Sequence, residues 1–128
     1  MKILLAACNA KYIHSNLAVY DLKAYASTYE DDILLKEYTI NQTKDEILKD
    51  IYSSRADIVC FSCYIWNISF IEELMEDLPK ILPETIFWAG GPEVSYDGVQ
   101  FLQKVPSMTG VMRGGGEKTF LELADYYI

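Results

Sequence analysis

The sequence predicts a three-layer α/β domain in which helices cover both faces of a five-stranded parallel sheet. Apolar runs alternate five times with segments of helical periodicity along the 128-residue chain. The runs are nearly continuous, which is typical of strands that are buried on both faces of a parallel sheet. The length suits one domain, and 51% hydrophobic residues are enough to fill a single core.

The first unit opens with a strand over residues 2–7, followed by a polar loop over residues 8–16. A helix comes next, because apolar side chains recur at i, i+3, i+4 and i+7. These side chains are Leu22, Tyr25, Ala26 and Tyr29. The pattern predicts a helix that reaches Tyr29, and a second strand follows over residues 33–38.

Two segments with capping-box spacing predict where the next two helices begin. They read Thr43-Lys44-Asp45-Glu46 and Ser69-Phe70-Ile71-Glu72. Apolar residues in helical phase follow each segment, and the third strand, residues 57–62, lies between the two helices. Pro79 ends or kinks the second of these helices.

The remaining chain supplies two further strands and two further helices. The strands cover residues 85–89 and 110–113, and the helices cover residues 96–104 and 117–127. Because strands and helices alternate throughout, we expect the flavodoxin-like strand order 2-1-3-4-5, with the Rossmann order as the alternative.

Charge and cysteine content exclude several classes of protein. The 11 basic and 19 acidic residues give a net charge of -8, which repels nucleic acid and anionic lipid. No apolar run approaches the roughly 20 residues that a membrane helix needs. Three cysteines, an odd number, favour a reducing cytoplasm over a disulfide framework. We therefore expect a cytoplasmic protein that binds neither nucleic acid nor membrane.

Four loops would lie at the carboxyl ends of the strands, where ligands bind in this architecture. They cover residues 8–17, 62–67, 90–95 and 113–117. The last two contain glycine runs, namely Gly90-Gly91-Pro92 and Gly114-Gly115-Gly116. Because glycine has no side chain, a run of this kind either forms a tight turn or lets a ligand lie directly against the backbone.

Several activities known for this fold lack their residues here. A phosphoacceptor domain needs carboxylates after the first and third strands, where this chain reads Ala7-Cys8-Asn9 and Phe61-Ser62-Cys63. The phosphate loop of flavin mononucleotide proteins, the GxGxxG turn and the Walker loop are also absent from the sequence. Cys60 and Cys63 have CxxC spacing but straddle the end of a strand, so redox or metal use is not favoured.

Aromatic residues and the single histidine stand in the first two loops. Tyr12, Tyr64 and Trp66 suit the wall of a wide, flat ligand, or they cover the edge of the core or a partner domain. His14 lies beside a ligand, ligates a metal, or only caps the following helix.

Three motifs occur in order after the third, fourth and fifth strands. They read Ser62-x-Tyr64-x-Trp66-Asn67, Gly90-Gly91-Pro92-Glu93-Val94-Ser95 and Gly114-x-Gly116-Glu117-x-Thr119-Phe120. Together they resemble the N-terminal cobalamin-binding domain of the cobalamin-dependent radical S-adenosylmethionine proteins. This group includes the anaerobic magnesium-protoporphyrin IX monomethyl ester cyclase type. The resemblance covers nearly the whole chain.

The resemblance implies that residues 1–128 hold cobalamin over the carboxyl edge of the sheet, with the nucleotide tail between the sheet and a helix. A following domain would carry CxxxCxxC, a [4Fe-4S] cluster and S-adenosylmethionine for methyl transfer or radical chemistry, so this part alone is not expected to be catalytic. The residues implied to contact cobalamin are Tyr12, His14, Ser15, Asn16, Ser62, Tyr64, Trp66, Asn67, Gly90, Gly91, Pro92, Glu93, Gly114, Gly115, Gly116 and Glu117.

Two details of the implied site differ from the patterns of related domains. His14 lacks the Asp-x-His-x-x-Gly surroundings that provide a cobalt ligand in mutase-type domains, so no metal ligand is predicted. Gly115 stands where the family usually has Glu.

If the glycine pair admits the nucleotide tail, Gly91→Leu abolishes cobalamin uptake and leaves the fold intact. The alternatives are the same fold without cobalamin, acting as an interaction or substrate-shaping domain, and a module for another nucleotide-like ligand.

Overall fold

The computed structural model describes residues 1–9, 22–24, 26–39, 42–63, 67–91, 98–112 and 117–128. It contains a five-stranded sheet in the order β2-β1-β3-β4-β5, in which every neighbouring pair is parallel. The strands are β1 (Ile3–Asn9), β2 (Ile33–Thr39), β3 (Ile58–Ser62), β4 (Ile86–Gly90) and β5 (Gly110–Met112). The flavodoxin-like order predicted from the sequence is therefore confirmed.

Helices connect the strands and lie on both faces of the sheet. The described helices are a 3-10 helix (Ser27–Asp32), α1 (Lys44–Ser54), α2 (Ile68–Ile81), α3 (Gly98–Lys104) and α4 (Glu117–Tyr127), and residues 22–24 are also helical. Within these ranges, no helix is both long enough and apolar enough to cross a bilayer.

The sheet divides the buried apolar side chains into two clusters. Leu4 and Phe61 belong to the cluster that packs under α1, α2 and α3, whereas Leu5 and Cys60 belong to the cluster under α4. Successive side chains of a strand point to opposite faces, so each central strand contributes to both clusters. This explains why the strands read as continuous apolar runs and do not alternate with polar residues.

The helix starts confirm one capping prediction and contradict the other. The Oγ1 atom of Thr43 accepts a hydrogen bond from the backbone N–H of Glu46 at 3.2 Å, so α1 begins at the predicted place. The second helix begins earlier than its capping-box spacing predicts, because Asn67 is its N-cap and Ser69 lies inside the helix. Asn67 is held there by contacts to distant strands, which override the local capping pattern.

The helix expected to reach Tyr29 is not continuous at that end. Residues 27–32 form a 3-10 helix, and Tyr29 itself has non-helical dihedral angles of φ -110° and ψ 23°. Its phenol donates a hydrogen bond to the carboxylate of Asp125 in α4. Ala26 is nevertheless fully buried in the cluster under α4, so the predicted inward face of this segment is kept.

Candidate functional site at the carboxyl edge of the sheet

A row of small residues crosses the carboxyl edge of the three central strands. Ala7 of β1 aligns with Ser62 of β3, and Ser62 aligns with Gly90 of β4. Strand alternation places this row on the same face as Leu5 and Cys60, which is the face that α4 covers. The sheet therefore ends on this face with little side-chain volume across three neighbouring strands.

The side chain of Asn67 joins the ends of β1 and β3. Its Nδ2 atom donates to the carbonyl oxygen of Cys8 at 2.9 Å and to that of Ser62 at 3.0 Å. The strand order reverses between β1 and β3, because the chain goes from β1 outward to β2 and then returns to the other side of β1. Such a switch point is where ligands bind in open α/β sheets. Asn67, which is fully buried, therefore spans the expected ligand crevice.

The ends of β3 and β4 are joined by the backbone. The N–H of Cys63 donates to the carbonyl oxygen of Gly90 at 2.6 Å, which adds one rung beyond the last paired residues of the two strands. Gly91 follows with φ +105°, a conformation that side-chain-bearing residues rarely adopt. A Cβ atom at Gly91 would lie 2.9 Å from the nitrogen of Cys63 and closer still to its carbonyl oxygen.

The close contact at Gly91 corrects one expectation from the sequence. The backbone of Cys63 leaves no room for a side chain at position 91, whether or not a ligand is bound. Gly91→Leu would therefore not leave the fold intact, and it cannot test cofactor binding by itself. Gly90 is more tolerant, because the closest contact of a Cβ atom there would be the flexible end of the Met112 side chain at 3.3 Å.

The structure brings together four of the five predicted site residues that it describes. Ser62, Asn67, Gly90 and Gly91 lie at adjoining strand ends, and Glu117 is the first residue of α4. The other predicted contact residues lie outside the described residues. They are Tyr12, His14, Ser15, Asn16, Tyr64, Trp66, Pro92, Glu93, Gly114, Gly115 and Gly116.

Sequence reasoning missed the part that Ala7 and Cys8 play at this edge. Ala7 completes the row of small residues, and the carbonyl oxygen of Cys8 accepts from Asn67. Cys8 and Asn67 are 59 positions apart, so no local pattern reports their contact. The predicted alignment of parallel strand ends was the only signal that could have suggested it.

The cysteines do not form a reactive pair. Cys60 belongs to the cluster under α4 and Cys63 to the opposite cluster, so the sheet separates the two side chains of the CxxC segment. Burial raises the pKa of the Cys8 and Cys60 thiols from 9.0 to about 12. In the described part of the chain, no group of three or more His, Cys, Asp or Glu residues could hold a metal ion. These thiols fill the core.

The raised thiol pKa values predict a loss of stability at alkaline pH. The folded state binds the thiol protons more tightly than the unfolded chain, so this stabilisation is complete below pH 9 and is lost as the pH rises toward 12. We expect ionisation of each thiol to lower the free energy of unfolding by roughly 1 kcal/mol at pH 10. Urea unfolding at pH 7.5 and pH 10 measures this, and Cys60→Ala should lose less than the wild-type protein. Equal losses in the two proteins would contradict the prediction.

The architecture and the carboxyl edge define the class of protein: a flavodoxin-like domain whose small strand-end residues lie at the crevice where this fold binds ligands. Residues 3–124 match the family described as the B12 binding domain. The chain therefore belongs to the B12-binding domain family. A search of the curated proteins found no match.

Solved structures share the fold at low sequence identity. A novel cobalamin-binding protein from Desulfitobacterium hafniense DCB-2 superimposes with a TM-score of 0.70 at 11% identity, over 99% of this chain and 59% of that one. The cobalamin-dependent S-adenosylmethionine radical enzyme OxsB gives a TM-score of 0.73 at 16% identity, over 99% of this chain and 19% of that one. A CheY-like protein, TadZ, from Pseudomonas aeruginosa PAO1 gives 0.66 at 13% identity, over 98% and 96%. The chain thus spans only part of the length of either cobalamin protein.

Proposed function

We propose that this domain binds cobalamin with the corrin above the carboxyl edge of the sheet and the nucleotide tail against the face that α4 covers. The observation that carries this proposal is the row Ala7, Ser62 and Gly90, which reduces side-chain volume on that face at the switch point. A long tail needs such a path between sheet and helix, whereas a small ligand does not. Membership of the B12-binding family supports the same ligand.

The residues of the chain have different parts in this proposal. Ser62 and Gly90 line the path of the tail, and the loops that contain Tyr12, Trp66 and Gly114 frame the corrin. Cobalamin, when bound, supplies a cobalt centre that carries a methyl group or takes part in radical chemistry. The domain itself would hold and orient the cofactor.

We further propose that the parent protein is a cytoplasmic radical S-adenosylmethionine enzyme, similar to the methyltransferase or magnesium-protoporphyrin IX monomethyl ester cyclase types. The three strand-end motifs support this proposal, as does the shared fold with one domain of OxsB. Sequencing the gene beyond the codon for Ile128 tests it. A CxxxCxxC motif in the same reading frame is expected, and its absence would remove the radical-enzyme proposal.

A spectral titration tests cofactor binding by the domain. We expect hydroxocobalamin to bind with a change in its corrin absorption bands, and cobinamide, which lacks the nucleotide tail, to bind at least about tenfold more weakly. The difference follows because cobinamide lacks the tail that is proposed to contact the face under α4. Equilibrium dialysis of both corrinoids against the same protein provides a control that does not depend on spectral change.

Two results would contradict the proposed function. If neither corrinoid binds, the domain keeps the fold without the cofactor, and an interaction or substrate-shaping role replaces cofactor binding. If both bind equally, the tail does not lie against the face under α4. The row of small residues then serves only the packing of that helix.

A further inference from the structure

We propose that Asn67 is a positioning residue of the ligand-binding edge: its carboxamide fixes the distance between the ends of β1 and β3, and it does not contact the ligand. The inference rests on the proposed function for the identity of the ligand. It differs from the role that the sequence implies for Asn67, which is direct contact with cobalamin.

The hydrogen-bond geometry accounts for both amide hydrogens of Asn67. One lies toward the carbonyl oxygen of Cys8, 2.9 Å from Nδ2, and the other toward the carbonyl oxygen of Ser62, 3.0 Å away. A primary amide has only two hydrogens to donate. A ligand could therefore accept a hydrogen bond from this nitrogen only if a strand end lost its own.

The side-chain amide of Asn67 continues the hydrogen bonding between β1 and β3 beyond the last backbone pair. Regular pairing of these strands ends at Ala7 and Ser62. The Nδ2 atom then binds one carbonyl oxygen from each strand, so the side chain replaces the next backbone rung. The side chain therefore sets the distance between the two strands just beyond their last paired residues.

Asn67 also fixes the helix that follows the second loop. It is the N-cap of α2, and its own carbonyl oxygen accepts from the N–H of Ile71 at 2.9 Å. One residue therefore connects β1, β3 and α2. The side chain is fully buried, so loss of its hydrogen bonds leaves two carbonyl groups without these donors in a site that water does not reach.

The test compares Asn67→Ala and Asn67→Asp with Thr85→Val. The aspartate keeps the shape of the side chain but loses both donors at neutral pH. Thr85 provides the matched control, because its Oγ1 atom donates to the carbonyl oxygen of Ala56 at 3.2 Å at the opposite edge of the same sheet. Cobalamin affinity, free energy of unfolding and amide hydrogen exchange without ligand are measured for all four proteins.

We expect both Asn67 variants to bind cobalamin at least about tenfold more weakly, whereas Thr85→Val, which also removes a hydrogen bond to a backbone carbonyl, binds within about twofold of wild type. Without ligand, the Cys63 amide, which is bonded to Gly90, should exchange about tenfold faster in the Asn67 variants. The Thr109 amide, bonded to Phe87 at 2.7 Å, lies farther from this edge and should exchange as before.

The outcomes separate positioning from direct contact. Weaker binding together with unchanged exchange at Cys63 would mean that Asn67 contacts the ligand, and would overturn the inference. Equal losses of affinity in Asn67→Ala and Thr85→Val would mean that lower overall stability weakens binding. This result would also overturn the inference. If Asn67→Asp does not fold, Asn67→Ala carries the comparison. If the wild-type protein does not bind cobalamin, the proposed function fails, and exchange at Cys63 alone decides whether Asn67 fixes the edge.

Discussion

Phe61→Ala is expected to lower the free energy of unfolding by about 3–5 kcal/mol. Phe61 lies in the central strand with 1% of its surface exposed. Its neighbours in the sheet are Ala6 in β1 and Ala89 in β4, so Phe61 is the one large side chain of these three strands at this level. The adjacent side chains are too small to close the cavity that its removal leaves.

Urea unfolding of Phe61→Ala and two comparison variants measures this effect. Phe61→Leu should lose less, because a leucine side chain fills part of the same space. Tyr126→Ala provides the control for loss of an aromatic side chain, since Tyr126 is 82% exposed, and it should change stability by less than about 0.5 kcal/mol. A loss below 1.5 kcal/mol for Phe61→Ala would mean that α1 and α2 can move onto the sheet to close the cavity.

Gly91→Ala is expected to destabilise the fold by about 2–4 kcal/mol, because the added Cβ meets fixed backbone atoms in a conformation reserved for glycine. The opposing atoms belong to the backbone of Cys63, which cannot rotate away as a side chain could. The bond between Cys63 and Gly90 holds the two strand ends together at this point. We expect the variant to lose this bond before it unfolds elsewhere.

Gly90→Ala is the matched control for this substitution. It adds the same atom one residue earlier, where the nearest contact is the end of the Met112 side chain at 3.3 Å. Its loss of stability should stay below about 1 kcal/mol. Thermal and urea unfolding of both variants give the comparison, and equal stability of the two would show that the chain at Gly91 can shift away from Cys63.

The sequence predicted the parts of this fold that depend on local patterns. The apolar runs located all five strands to within one or two residues at each end, and the strand order followed from their alternation with helices. The helix from Glu117 to Tyr127 has its predicted bounds. Burial on both faces of a parallel sheet leaves a strong signal in the sequence, because most positions of a central strand must be apolar.

The errors and omissions arose where distant contacts decide local structure. The capping spacing at Ser69 was misleading because Asn67, held by β1 and β3, starts the helix earlier. The helix through Tyr29 was interrupted where the phenol reaches Asp125 in the last helix. The sequence indicated that something lies close to the backbone at Gly91, and in the structure this neighbour is the protein's own backbone at Cys63. Whether the nucleotide tail also passes there stays a prediction.

The strand order has a consequence for when the domain becomes able to bind during its synthesis. The crevice lies beside β1, but its other wall consists of β3, which follows later in the chain, with Ile3 aligned to Ile58. The third and fourth strand ends must be present before the row of small residues is complete. An emerging chain that stops before β4 lacks Gly90, the last member of this row. The crevice where this fold binds ligands is therefore complete only after most of the domain has been synthesised.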